Sequence, residues 1–206
     1  SANWMAASGE NSDDFALRSG VEALSKIAVD LKVSIPVGKD SLSMRTKWSE
    51  NNSDYEVSSP LSGVITAMAP VDDVTESVTP ELNTSDDTSI LLIKLNNKNR
   101  LAGSIFSEIT ETKYQHTPDI DDIEVFEKLF SGIQNLLKSK KILAMHDISD
   151  GGLITTLLEM CFTKKIGMRM DLDDSSGVNE FLFSEEIGFA IQIKKNNLDE
   201  VTNTLK

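Results

Sequence analysis

A single cysteine in 206 residues excludes a disulfide framework and a cysteine-rich zinc site within the chain. It also suits a reducing compartment. Basic residues are scarce: 20 Lys and Arg stand against 33 Asp and Glu, a formal charge of −13. Nucleic acid and anionic membrane surfaces are therefore poor partners, because both are held by clustered cations. No run of about 18 apolar residues occurs, so no membrane-spanning helix is expected, and no signal-peptide pattern is read. Repeats and low-complexity tracts are lacking as well. What remains is the composition of a globular protein, 39% apolar and 26% charged. It favours a cytoplasmic protein that holds a small ligand or a metal ion locally. The opening, SANWMAAS, is small and apolar with no leading methionine, and the close, VTNTLK, lies in an amphipathic stretch. The chain reads as a piece of something longer.

Periodicity outlines the elements. Over 13–32, Leu17, Val21, Leu24, Ala28 and Leu31 recur at helical steps and predict a helix, with Asp13 and Asp14 at its positive end and Lys32 at its negative end. VSIPVG (33–38) reads as a short extended run. LSGVITAMAPV (61–71) is nearly continuous in apolar residues and predicts a strand buried on both faces. Residues 72–88 are polar, acidic and aperiodic, the pattern of a linker. SILLIKL (89–95) predicts a buried strand, and a short helix follows near 102–110. Asp119 or Asp121 is a candidate cap for the next helix, whose core face is Ile123, Phe126, Leu129, Phe130, Ile133 and Leu137. ILAMHD predicts a strand, GLITTLLEMCF a helix, MRMDLD (168–173) a short strand, and FSEEIGFAIQIKK ends in another strand. The mixture indicates an α+β class built of α/β lobes.

Two stretches can carry chemistry. HDISDGGL (146–153) joins a strand to a helix. Its glycines permit a tight turn and a close ligand approach, and free amides at a helix start attract phosphate. Asp147 repels phosphate unless magnesium lies between them, and Ser149 is a hydroxyl donor. The plainer alternative is that Asp147 or Ser149 caps the helix and Gly151–Gly152 makes the turn. These residues alone leave the two readings level. In VGKDS (37–41), Lys39 offers a cation and Ser41 a hydroxyl to a phosphate, although the spaced glycines of a P-loop are absent. A salt-bridged surface turn is the simpler reading of that stretch. Cys161 reads as core, His116 as solvated, His146 as a satisfied strand-end histidine, and Trp4 and Trp48 as packing residues, with Trp4 beside Asn3 placed to flank a ligand.

Together, SANWMAA, IPVGKDSLSM, SPLSGVITA, HDISDGGLITTLLEM and LFSEEIGFAIQI resemble the large, multidomain phosphoribosylformylglycinamidine synthases, in that family's order and across essentially the whole chain. The resemblance implies part of a ferredoxin-like lobe over residues 1–80, followed over 81–206 by a lobe like the C-terminal part of aminoimidazole ribonucleotide synthetase. Both would belong to the second of two such halves. It implies a glutamine- and ATP-dependent ligase that turns formylglycinamide ribonucleotide into formylglycinamidine ribonucleotide, with ammonia supplied by a separate glutaminase domain. The other domains of the same polypeptide would be its partners. Smaller relatives carry G-N-x-S at the position of VGKDS. By that match Gly38 meets ATP and Ser41 the substrate. Lys39 replaces the metal-binding asparagine and contacts a phosphate, and Asn3 lines the same site. By resemblance, HDISDGGL serves a second nucleotide site holding ADP and Mg2+, with Asp147 on the metal and Ser149 on the nucleotide. Two rivals stand beside this reading: a stand-alone synthetase or kinase of the same superfold, and a non-catalytic lobe kept for domain contacts.

Overall fold

Residues 1–9, 11–84, 87–172 and 177–205 are described by a computed structural model of the chain. They form a mixed α+β protein of two units, Ser1–Val71 and Asp72–Lys206.

In the first unit, strand β1 (Ala2–Met5) is flanked on both sides. Strand β4 (Ser62–Ile65) pairs with it antiparallel, and isolated bridges join Ala2 to Gly38 and Met5 to Ser41 on the other edge. The run predicted over 33–38 forms no strand of its own; only its end, Val37 and Gly38, bonds to β1. Helix α1 (Asn11–Asp30) turns Leu17, Leu24 and Ala28 inward, each half-buried, as is Leu31 just past its end, while Val21 stays 42% exposed. It stops at Lys32, whose φ of 57° closes the last turn, with the Val33 amide donating to the Ala28 carbonyl at 2.9 Å. Trp4 packs in this unit: a Cβ added at Gly20 of α1, or at Gly63 opposite it on β4, would lie 3.0 Å from its indole ring.

Two strands went unread in the sequence. β2 (Arg45–Glu50) and β3 (Ser53–Ser58) form a hairpin turned by Asn51 and Asn52, both at positive φ. This is the two-residue loop that matches strand twist. Trp48 stacks on Tyr55 across it, 5.3 Å between centroids. The expectation of a doubly buried strand over 61–71 is overturned. Only 62–65 form a strand, and Ile65, Met68 and Val71 are 51%, 92% and 68% exposed. An apolar run is buried on both faces only when sheet neighbours and covering layers exist, and here β1 is its sole described partner.

The second unit is layered. Its sheet has the order β5–β7–β6, with β5 (Thr88–Lys94), β6 (Ile142–Asp147) and β7 (Gly188–Lys194) antiparallel to their neighbours. β7 is central and its Ala190, Ile191 and Ile193 are fully buried. β5 is half-buried rather than buried, because it is paired on one side only among the described residues. One face of the sheet carries α3 (Ile123–Lys138) and α6 (Leu198–Thr204), where Ile133, Leu136 and Val201 meet Ile142, Ile191 and Ile193. The other carries α4 (Gly152–Phe162), where Leu153, Leu157, Met160 and Cys161 meet Ala144 and Ala190. Cys161 is a core residue. Gln192 sits among these apolar groups because its amide is satisfied: Oε1 accepts from the Asn83 amide and Nε2 donates to the Asn83 carbonyl.

Several details differ from expectation. Asp122, not Asp119 or Asp121, caps α3, its Oδ1 accepting from Glu124 and Val125 amides, because the helix begins at Ile123. Phe130 is 50% exposed, while Leu136 takes the core place on α3. Residues 168–172 form no strand, since no described strand pairs with them; Asp173 lies outside the described residues, as do Ser85 and Asp86. The rest of the expected linker over 72–88 belongs to the second unit, where Val74–Glu76 form a helical turn and Leu82 is buried in the core. The short helix near 102–110 is α2 (Ile105–Ile109), capped by Ser104. A further one, α5 (Val178–Phe183), precedes β7. No described helix is long and apolar enough to cross a membrane.

Candidate functional site

The two stretches singled out lie in different units. In the first, the backbone itself explains Gly38: a Cβ there would fall 2.1 Å from the Ala2 carbonyl oxygen. The approach of β1 therefore requires glycine whether or not a ligand is present. β1 then ties the loop down. The Lys39 amide donates to Asn3 Oδ1 at 2.9 Å, the Ser41 amide to the Trp4 carbonyl at 2.8 Å, and the Trp4 amide to Asp40 Oδ1 at 3.2 Å. Lys39 is exposed, and its ammonium donates to Ser41 Oγ at 2.6 Å. The turn does not take the salt-bridged form considered from sequence: the Lys39 ammonium turns to Ser41, and Asp40 accepts from the Trp4 amide. Lys39 and Ser41 instead present a cation and a hydroxyl side by side, a pairing suited to phosphate oxygens.

In the second unit, β6 delivers Asp147 and the chain turns through Gly151 into α4. Neither Asp147 nor Ser149 caps the helix. The N-cap is Gly151 at φ 85°, with no side-chain bond. Two constraints require the glycine pair. Both are at positive φ, and a Cβ on Gly152 would lie 2.6 Å from the Phe183 carbonyl carbon. The Asp147 carbonyl accepts from the buried Thr156 hydroxyl at 3.0 Å, and its side chain is 66% exposed. Ser149 is exposed beside it. His146 is satisfied between carboxylates, Nδ1 3.2 Å from Asp147 Oδ1 and Nε2 2.8 Å from Glu159 Oε2.

Glu185 and Glu186 were missed, although two adjacent acids entering a buried strand are a signal that at least one is paired inside. Glu185 Oε1 accepts from the Gly151 and Ile105 amides, both at 2.9 Å. Glu186 has no exposed surface and is gripped by Arg100, Nε to Oε1 at 2.5 Å and Nη2 to Oε2 at 2.8 Å, with the Arg100 amide and Asn96 as further donors. Burial pushes the Glu186 carboxyl up, but hydrogen bonds from the Arg100 side chain and amide and from Asn96 outweigh it and hold the carboxyl below its ordinary range. The unfolded state then binds more protons than the folded one as pH falls, so this stability is full above the ordinary glutamate value, about 4.3, and is lost on descending through the lowered one. The midpoint of thermal unfolding should drop steeply in that acid limb, and Glu186→Gln should flatten the slope. An equal slope in both proteins would refute the assignment.

Magnesium binding asks for one or two carboxylates, with phosphates and waters completing the shell. Asp147 fits as one such ligand. Among the described residues no three His, Cys, Asp or Glu side chains gather as a metal site, so nothing here forms a cage around Asp147.

Comparison with known proteins follows the same division. The FGAR-AT PurM_N-like domain matches residues 1–70, and the AIR synthase related protein, C-terminal domain, matches residues 87–206. Among solved structures, the chain superposes on PurLQS from Thermotoga maritima (TM-score 0.59, 12% identity, 98% of this chain, 30% of that one). It also superposes on Thermotoga maritima PurL complexed with ATP (TM-score 0.57, 10% identity, 98% and 30%). A chain of the HypE–HypF complex is similar to the same degree (TM-score 0.60, 13% identity, 100% and 65%). The chain thus spans less than a third of the PurL chains it resembles, and at these identities the likeness is one of fold. The second match alone covers more than half the sequence and contains both the β6–α4 loop and the Arg100–Glu186 pair, and on that ground the chain belongs to the AIR synthase-related family.

Proposed function

We propose that this chain is part of the synthase core of an ATP-dependent ligase, converting formylglycinamide ribonucleotide to formylglycinamidine ribonucleotide in the cytoplasm. The observation that carries this reading is the order of the two family matches, an FGAR-AT type domain followed by an AIR synthase type domain. The ATP bound in a similar PurL structure supports the nucleotide. In this reading the Lys39 ammonium and the Ser41 hydroxyl hold the substrate's phosphate, and the Gly38 backbone lies against ATP. Asn3 keeps the loop in place through the Lys39 amide. At the second loop Asp147 contributes to Mg2+ and Ser149 to the nucleotide. Bound magnesium would shield the phosphate charge from Asp147. The remaining domains of the polypeptide, a glutaminase among them, would supply ammonia and the missing ligands, so residues 1–206 alone should make no product.

The test is steady-state kinetics of the complete enzyme with ammonia as donor. Losing a charge-assisted bond to phosphate, Lys39→Ala should raise KM for the ribonucleotide by about 10- to 100-fold, with kcat less affected. An unchanged KM would overturn the role given to Lys39. A second reading, a stand-alone ATP-dependent synthetase or kinase of the same superfold, draws on the equal likeness to the HypE–HypF chain. It predicts no turnover of this ribonucleotide by the complete protein.

A further inference from the structure

We propose that Glu185 is the positioning residue of the Asp147–Gly151 loop, fixing the backbone that carries Asp147 and Ser149 for a magnesium-bound nucleotide. The inference rests on the nucleotide reading of that loop and adds a residue outside it.

The loop is tied unevenly. At its start, the Asp147 carbonyl is held by Thr156, and Ile148 is buried with its amide donating to the Gly188 carbonyl at 2.9 Å. Ser149 and Asp150 then run exposed. At its far end the Gly151 amide donates to Glu185 Oε1. That bond anchors the loop's exit to a different part of the unit, because Glu185 stands in the connection between α5 and β7. The same oxygen also takes the Ile105 amide, so the starts of α2 and α4 share one acceptor.

The base of Glu185 is itself fixed. Its neighbour Ser184 is buried and donates its amide to the Glu180 carbonyl. Its other neighbour, Glu186, is buried and gripped by Arg100. One step before, the backbone of Phe183 lies where a Cβ on Gly152 would be. A carboxylate rooted in so rigid a segment transmits that rigidity to Gly151, and through it to Ser149, whose carbonyl accepts from the Gly152 amide at 3.0 Å. Glu185 needs no contact with the ligand to act in this way. Its negative charge is also unsuited to a direct phosphate contact.

The experiment uses the complete protein stripped of bound nucleotide, titrated calorimetrically with ADP at fixed and at varied magnesium chloride. Glu185→Ala should weaken ADP binding by about tenfold or more and raise the magnesium concentration needed for half-saturation, as loss of an orienting partner does at metal sites. Glu185→Gln keeps an acceptor oxygen and should bind within about threefold of the parent. Ile133→Val, on the far face of the sheet, lowers stability without touching the loop and serves as the stability control. Should Glu185→Ala fail to fold, Glu185→Asp, one methylene too short to reach both amides, carries the same test. Parent-like ADP affinity in Glu185→Ala, or a loss no greater than in the Ile133→Val control, overturns the role of Glu185 while Asp147→Ala still abolishes magnesium dependence. Parent-like binding in Asp147→Ala overturns the loop reading itself, and the role of Glu185 with it.

Discussion

Arg100→Ala should destabilise the protein by about 3–5 kcal/mol, because it strands a carboxylate that has no exposed surface. Arg100 is 12% exposed in its side chain and spends its donors on Glu186, on Asp121 and on the Asp119 carbonyl. It thereby joins the chain after β5 and the approach to α3 to the entry of β7. Removing the guanidinium leaves Glu186 with Asn96 and the residue-100 amide as donors. Neither supplies a compensating charge. Urea unfolding followed by circular dichroism measures the loss as a lower midpoint at constant slope. The paired replacement, Arg100→Met with Glu186→Leu, should recover most of it, since two apolar groups of similar volume do not pay desolvation. A single variant that unfolds within about 1 kcal/mol of the parent would show that water reaches Glu186.

Gly152→Ala is the second large effect expected, at about 2–5 kcal/mol. Its φ of 72° costs any L-residue roughly 1–2 kcal/mol. Overpacking adds about 1–3 kcal/mol, because the new methyl would meet the Phe183 and Leu182 backbone at 2.6–2.8 Å, which a rotamer change cannot relieve. Gly151 makes the internal comparison. Its φ is 85°, but an added Cβ meets first the Thr155 hydroxyl at 2.3 Å, the end of a side chain that can rotate away. Gly151→Ala should therefore cost less than Gly152→Ala: the backbone strain, the Thr155 hydroxyl's bond to the Gly151 carbonyl and a 3.0 Å contact with the Thr155 Cβ. Thermal unfolding of the two variants side by side checks the order; equal midpoints would refute the steric argument.

The strand, loop and helix over 142–162 were readable because the hydrophobic period changes from two to 3.6 around a glycine pair. The long helix α3 was readable from its apolar stripe. The hairpin of β2 and β3 was not, since its residues are nearly all exposed and give no apolar alternation; the Asn51–Asn52 pair was the available signal. Apolar content misled at 61–71 and 168–172, where burial depends on neighbours that a linear pattern does not contain. Of the candidate site, Asp147, Ser149, Lys39 and Ser41 were nameable from residue type and loop context. Asn3 was linked to the Lys39 loop by resemblance alone; the bond that joins them spans 36 positions. The bond from Glu185 to Gly151 spans 34, so local spacing carries no trace of it. The glycines posed a different problem. Gly38 and Gly152 look like ligand-facing positions in the sequence, yet each is demanded by a passing backbone.

The one-sided pairing of β5 has a practical meaning for anyone handling residues 1–206 by themselves. TSILLIK is seven residues of high β-propensity with one charge and no proline. Among the described residues its outer edge has no strand partner and no bulge, and its one charge, Lys94, is half-buried over the Phe181 ring. Such an edge is a template: any extended chain that reaches it, including another molecule's copy of the same strand, can continue the ladder. A chain held at −13 is kept apart by its charge at long range, but at contact this edge is where strand-to-strand association would begin.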